Sequence, residues 1–151
     1  MTTSSYFKAP IINCLAVDKE FLPSRANPTD AGADLRAYFK DGQQIDIYPG
    51  EQKMIDTGVA VKIPEGYVGL VFNRSSQGKI GITIPHSVGV IDSDYRGNIK
   101  IILKNLGEDP YEITHGSRIA QLVIVPIMLA EFEDIWQDTD RGSGGFGSTG
   151  K

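Results

Sequence analysis

The feature that most restricts what this chain can fold into is its punctuation. Short runs of β-branched and aromatic residues are each closed off by glycine or proline before a helix of useful length can form. Candidate strands read at 11–17, 33–39, 44–48, 53–63, 67–72, 80–84, 98–104, 111–113 and 118–127. Several alternate as half-buried strands do, with Ile99, Ile101 and Leu103 set against Lys100 and Lys104. Turn signals separate them at Pro49-Gly50, Pro64-Glu65-Gly66, Tyr95-Arg96-Gly97 and His115-Gly116. One short helical turn fits at Ser75–Lys79. Many short strands without a long amphipathic helix predict an all-β sandwich, jelly roll or barrel.

A length of 151 residues suits one domain with its own core. No apolar run approaches the roughly 20 residues of a membrane span. The start, Met1 to Tyr6, is polar and uncharged, unlike a secretion signal. Cys14 is the single cysteine, so an internal disulfide is excluded, and a buried, inert thiol fits a reducing cytoplasm best. A net charge of −4 argues against non-specific nucleic-acid binding, which needs a basic surface to displace counterions. No basic amphipathic stretch suggests a membrane surface either. An anionic ligand therefore requires cations gathered at one place.

The one shift in composition divides a body at 1–137 from a tail at 138–151 that reads DTDRGSGGFGSTGK. Such a tail cannot bury enough apolar surface to fold alone. Composition by itself favours a disordered terminus; an Arg and a Phe among glycines fit equally an arm that orders on a ligand. Its Gly145-to-Lys151 run has P-loop spacing, but a P-loop also needs a strand before it, a helix after it and a Ser or Thr beyond the lysine. What survives is the physical part: glycine-rich backbone can wrap N–H groups around phosphate, with Arg141, Ser148 and Thr149 as further donors.

Four other segments carry chemistry, each with a plainer reading beside it. Gly89-Val-Ile-Asp92-Ser-Asp94-Tyr95-Arg96-Gly97 reads as a hairpin with an acidic turn. Turn-forming is the ordinary role for its two aspartates, and orienting and deprotonating a water is the functional role for Asp92. Phe72-Asn-Arg74-Ser75-Ser76 runs a strand into a polar turn able to hold phosphate or simply to start a helix. Asp34 and Arg36 flank Leu35 as solvent-facing charges or a local ion pair. Arg118 and Gln121 decorate one more strand.

The ordered set is far more specific than its parts. ADLRA, RSSQG, GVIDSDYRG, GSRIAQL and RGSGGFGSTG resemble, in order and approximate spacing, the five motifs of the trimeric dUTPase family, over about four-fifths of the chain. The resemblance implies a jelly-roll-like distorted β-barrel with a flexible C-terminal arm. It further implies a homotrimer whose three active sites draw on all three chains, 138–151 closing a neighbour's site. The implied reaction is hydrolysis of dUTP to dUMP and pyrophosphate by water attack on the α-phosphorus. That activity limits uracil in DNA and supplies dUMP for thymidylate synthesis.

By the same resemblance Asp92 is the general base. Tyr95 packs beneath deoxyribose and excludes a 2′-hydroxyl. Gly89, Val90 and Ile91 line the uracil pocket. Arg74, Ser75, Ser76 and Gln121 meet the phosphates, Arg141, Gly147 and Ser148 the far end of the triphosphate, and Phe146 stacks over the base. Asp34 holds Mg2+ through water, as suits a hard ion that keeps much of its hydration. His86 stands where many bacterial members place an asparagine against uracil, and Lys100 where some members approach substrate; core or solvated positions are the plain readings of both.

The chain departs from the common second motif, which has Pro before the Arg and Gly-Leu after the Ser; here stand Asn73 and Ser76-Gln77. Two rival functions remain. A dCTP deaminase shares the fold and an RSS-type motif but carries a catalytic glutamate where this chain has Ile102. A non-catalytic nucleotide-sensing module would not need Asp92, Tyr95, Arg141 and Phe146 intact.

Overall fold

The computed structural model describes residues 8–147. Among the described residues it comprises eleven strands, one short α-helix and a 3-10 turn at Lys19–Phe21: β1 (Asn13–Ala16), β2 (Ala33–Arg36), β3 (Gln44–Ile47), β4 (Gln52–Asp56), β5 (Val59–Lys62), β6 (Tyr67–Phe72), α1 (Ser75–Lys79), β7 (Ile82–Thr83), β8 (Gly89–Ile91), β9 (Lys100–Asn105), β10 (Tyr111–Thr114) and β11 (Arg118–Pro126). All pairings are antiparallel, in sheets ordered β2-β11-β6-β8, β4-β9-β7, β1-β5 and β3-β10. Distant strands pair far more than neighbours in sequence do; the architecture is all-β, as the punctuation predicts, and is consistent with the distorted jelly roll that the family resemblance implies. The helical turn falls on Ser75–Lys79 as read.

One core serves all the sheets. Leu35, Ile47, Ile55, Val59, Ile63, Ile82, Ile99, Ile101, Leu103, Ile113, Ile119 and Leu122 are almost wholly buried in a single cluster. Each such side chain contributes about 1.5–3 kcal/mol by leaving water. In β9 the predicted alternation holds, Ile101 and Leu103 inward and Lys100 and Lys104 outward. The same face ends in Asn105, fully buried. Its Nδ2 donates to Ile47 O and Asp109 O and its Oδ1 accepts from Gly107 N, each at 2.8 Å, so a core amide is satisfied.

Two expectations need correction. The run 53–63, read as one strand, is β4 and β5, broken at Thr57-Gly58. Gly58 has φ +65°, and a Cβ there would run into Val17 and Tyr38, so the chain turns and leaves β9 for β1. The segment from Gly89 to Asn98 is not a hairpin. β8 pairs with β6, whereas β9 pairs with β4 and β7, so the acidic turn crosses between sheets. Period alone cannot distinguish a turn that folds back from one that crosses over.

Candidate active site

Strand register builds the first half of the site. Gln121 of β11 lies opposite Asp34 of β2 on one side and Phe72 of β6 on the other, so three strands bring these positions abreast. Two residues past Phe72, Arg74 turns back and donates from Nε to Asp34 Oδ1 at 3.0 Å. Arg118 Nη1 takes the other carboxylate oxygen at 3.3 Å. Arg74, Ser75, Ser76, Arg118, Gln121, Gly32, Asp30 and Asp34 line one open cleft of about 350 Å³. Gln121 is fixed by Nε2 donating to Asn73 O at 2.9 Å. A Cβ on Gly32 would strike the Gln121 carboxamide, so glycine there makes room for it.

Arg118 is the functional candidate that sequence reasoning missed. Residues three apart on a regular strand point to opposite faces, which set Arg118 and Gln121 apart. The register of β11 shifts between Arg118 and Ala120, and consecutive Ile119 and Ala120 are both buried. That bulge inserts one residue and swings Arg118 to the side of Gln121. The nearby turn signal His115-Gly116 was the only hint of irregularity there.

The second half is a small cavity of about 20 Å³ lined by Val71, Ile84, His86, Gly89, Ile91, Lys100, Ile101 and Ile102. Gly89 and Ile91 face it while Val90 is 61% exposed, as alternation on β8 requires. His86 reaches it from an exposed turn in which Nδ1 lies 3.3 Å from Val88 O. Lys100 brings its stem from the outer face of β9. The structure thus gathers His86, Gly89, Ile91 and Lys100 at one cavity, with Val90 turned outward. Gly89 pairs with Val71, three residues before Arg74, so cavity and cleft lie about 10 Å apart along β6.

The remaining candidates are placed elsewhere in the single chain. Asp92 and Tyr95 sit exposed on the crossing turn, held by Tyr95 N donating to Asp92 O at 3.2 Å and Tyr95 Oη donating to Asn98 O at 3.0 Å. A Cβ on Gly97 would strike the Tyr95 phenol, so that ring depends on glycine. The Asp92 carboxylate makes no hydrogen bond or ion pair among the described residues. Arg141, Phe146 and Gly147 lie on the exposed tail, where, among the described residues, Arg141 Nε donates only locally, to Gly144 O at 3.0 Å. Ser148 and Thr149 lie outside the described residues. Cys14, expected buried, is half-buried, and burial pushes its thiol pKa up.

Fold and site together define an all-β protein that holds a polar phosphate-sized cleft one nucleoside length from a small pocket. A protein-family model described as dUTPase matches residues 18–150, and the chain belongs to that family. The deoxyuridine 5′-triphosphate nucleotidohydrolase of Roseobacter denitrificans is 48% identical over 132 residues, 85% of this chain and 86% of that protein. The protein of the same name from Corynebacterium glutamicum is 46% identical over 145 residues, 93% and 95% of the two chains. Among solved structures, the dUTPase of Staphylococcus bacteriophage 80alpha, determined with dUpNHpp, has a TM-score of 0.81 at 32% identity, covering 95% of this chain and 100% of that one. A dUTPase variant from phage phi11 of S. aureus, determined to reveal the coordination of a structural Mg(II) ion, has a TM-score of 0.74 at 29% identity, covering 85% and 98%.

Proposed function

We propose that this chain hydrolyses dUTP to dUMP and pyrophosphate. The observation that carries the reading is the cleft of Arg74, Ser75, Ser76, Arg118 and Gln121 set about 10 Å along one strand from the cavity of His86, Gly89, Ile91 and Lys100. The cleft has room for phosphate groups, whereas the cavity, at about 20 Å³, takes a water and not a pyrimidine ring, so it marks the wall against which a base edge would lie. Gly89 and its neighbours offer main-chain groups to the pyrimidine edge. A base with the opposite donor pattern strands buried polar groups, at about 1–3 kcal/mol each.

Asp92 serves as the general base. Its carboxylate has no competing partner among the described residues, which suits it to orient a water toward the α-phosphorus and accept its proton. A base so placed contributes about 100- to 10,000-fold in rate. Tyr95, fixed through Asn98 and Gly97, forms the floor under the sugar and rejects ribose.

The donor set fits magnesium in one mode only. No group of three His, Cys, Asp or Glu side chains capable of caging a metal exists among the described residues. Asp34 faces the cleft, so an Mg2+ carried by the triphosphate would be held there through water. When bound, the ion neutralises phosphate charge and fixes the triphosphate's conformation. Asp34 meanwhile keeps Arg74 and Arg118 turned into the cleft.

The working assembly is a homotrimer, with 138–151 of one chain closing a neighbour's cleft by Arg141, Phe146, Gly147 and Ser148. β11 ends at Pro126, and beyond it Met128, Phe132 and Trp136 are at least 86% exposed on the single chain, which fits cover by a second copy. A lone, half-buried cysteine fits a cytoplasmic setting. Deamination of dCTP is disfavoured because Ile102, at the cavity wall, cannot shuttle a proton. Pyrophosphate release should be measured from every common nucleoside triphosphate, with and without magnesium. Selective, metal-dependent turnover of dUTP supports the reading. Ammonia from dCTP, or dUTP binding without pyrophosphate release, overturns it in favour of the deaminase or the sensor respectively.

A further inference from the structure

Two of the three departures from the family's usual second motif, Asn73 and Gln77, are amides whose side chains reach into the interior on either side of the phosphate-binding turn. Asn73 Nδ2 donates to Ile82 O at 2.8 Å and ties the end of β6 to β7. The main-chain oxygen of the same residue accepts from Gln121 Nε2. Gln77, only 2% exposed, donates from Nε2 to Tyr111 Oη at 3.3 Å and ties α1 to β10. Between these two anchors lie Arg74, Ser75 and Ser76.

Each amide is left with one unsatisfied atom. Asn73 Oδ1 and Gln77 Oε1 are the two buried side-chain polar atoms without a hydrogen-bond partner among the described residues. Both are already inaccessible within one chain, so a neighbouring subunit cannot supply the donor. Rotating the Asn73 amide would set its oxygen against the Ile82 carbonyl, and rotating the Gln77 amide would let Tyr111 Oη donate to the oxygen but leave the nitrogen without a partner, so each amide keeps one unsatisfied atom either way. An orphan acceptor is a destabilising feature, and an aliphatic side chain of similar volume would remove it.

We propose that Asn73 and Gln77 are positioning residues for phosphate binding. Their directional hydrogen bonds fix the turn so that Arg74, the two serines and Gln121 converge on one cleft, and the chain gives up stability for that aim. A hydrophobic contact holds a turn in place but does not set its rotation; two amide tethers, one at each end, do. The inference rests on the cleft being the phosphate site, and names what aims it in this chain.

Full-length Asn73→Ala, Gln77→Leu and the double variant should be compared by calorimetric titration with magnesium tripolyphosphate, which reads the cleft, and with deoxyuridine, which reads the cavity. dUTP turnover and thermal melts complete the set. Each single variant should lose about three- to tenfold in tripolyphosphate affinity, the range one net hydrogen bond sustains, with deoxyuridine binding unchanged. KM for dUTP should rise in proportion while kcat stays within about threefold of the parent, as removal of uniform binding predicts. Gln77→Leu should meanwhile raise Tm, because the orphan oxygen is gone. In the double variant the losses should fall short of additive, since both tethers hold one turn.

Unchanged tripolyphosphate affinity in a folded Gln77→Leu protein overturns the proposal. So does a lower Tm with equal losses for both probes, which marks a merely structural role. Should Asn73→Ala fail to fold, Gln77→Leu alone decides. If the parent binds tripolyphosphate in this way yet releases no pyrophosphate from dUTP, the assignment of the reaction falls while the positioning role stands.

Discussion

Replacing Gly97 with alanine tests Tyr95 as the sugar floor without altering Tyr95. A Cβ at that position would lie 2.5 Å from the phenol oxygen and 2.8 Å from Cζ, whereas ordinary contact begins at 3.4 Å. The ring tip must therefore retreat by about 0.9 Å. That displacement breaks the 3.0 Å hydrogen bond to Asn98 O, the ring's one polar anchor among the described residues. Tyr95 is 42% exposed, so the ring swings into solvent without disturbing the core. The expected loss of stability is one net hydrogen bond, about 0.5–1.5 kcal/mol, or a few degrees in Tm for a chain of this size.

The functional effect is expected to be larger than the structural one. Steric rejection of a single group is worth about 1–3 kcal/mol, so the ratio of kcat/KM for dUTP over UTP should fall about 10- to 200-fold. Most of that change should come from faster UTP turnover. Pyrophosphate release from the two nucleotides, with a melting curve on the same preparation, gives both quantities. A folded Gly97→Ala protein that rejects UTP as well as the parent does would refute the argument, because the ring cannot stay where it is with a methyl group in its place.

Asp92→Asn should bind dUpNHpp with near-parental affinity while losing about 100- to 10,000-fold in kcat; near-normal turnover removes it as the base. Gly32→Ala drives a Cβ into the Gln121 carboxamide and should raise KM for dUTP several-fold with little change in Tm, measured by initial rates and melting. Removing 138–151 should leave sedimentation and melting unchanged and abolish most turnover; normal activity would reduce the arm to a tail. Burial raises the Cys14 thiol pKa, so its contribution to stability is complete below the ordinary thiol pKa and is lost as pH rises through the folded value. Urea titrations should show that alkaline decline flattened in Cys14→Ser, and a thiol reagent at neutral pH should react more slowly with the folded chain than with the unfolded one.

The parts of the fold that were legible are those governed by one local rule. Alternation in β9 placed Ile101 and Leu103 in the core, and the polar turn after Phe72 placed α1. What was not legible depends on exceptions to alternation. Gly58 splits one apparent strand into two that serve different sheets, and its φ of +65° follows from close approach to Val17 and Tyr38, residues far away in sequence. Asn105 falls just beyond the strand read at 98–104, yet it sits in the core because three partners meet it there. The bulge before Ala120 has no signature of its own, and it alone converts Arg118 from surface decoration to a lining residue of the cleft.

The charge balance of that cleft explains why ordered motifs say more about function than any single cluster does. Arg74 and Arg118 are matched by Asp30 and Asp34, so the cleft of one chain is close to neutral. Two charges 4 Å apart interact by about 4 kcal/mol at the effective dielectric of a protein surface, and the Asp34 carboxylate that both guanidiniums meet offsets much of their pull on phosphate. A cleft this balanced holds a triphosphate firmly only when more positive charge arrives. On the reading proposed here it comes with the substrate's magnesium, which faces Asp34, and with Arg141 on a neighbour's arm. Free phosphate then finds little excess charge to bind, whereas the metal-bound triphosphate completes the site it enters. A net-negative chain can thus discriminate for a polyanion by assembling its cations at the moment of binding.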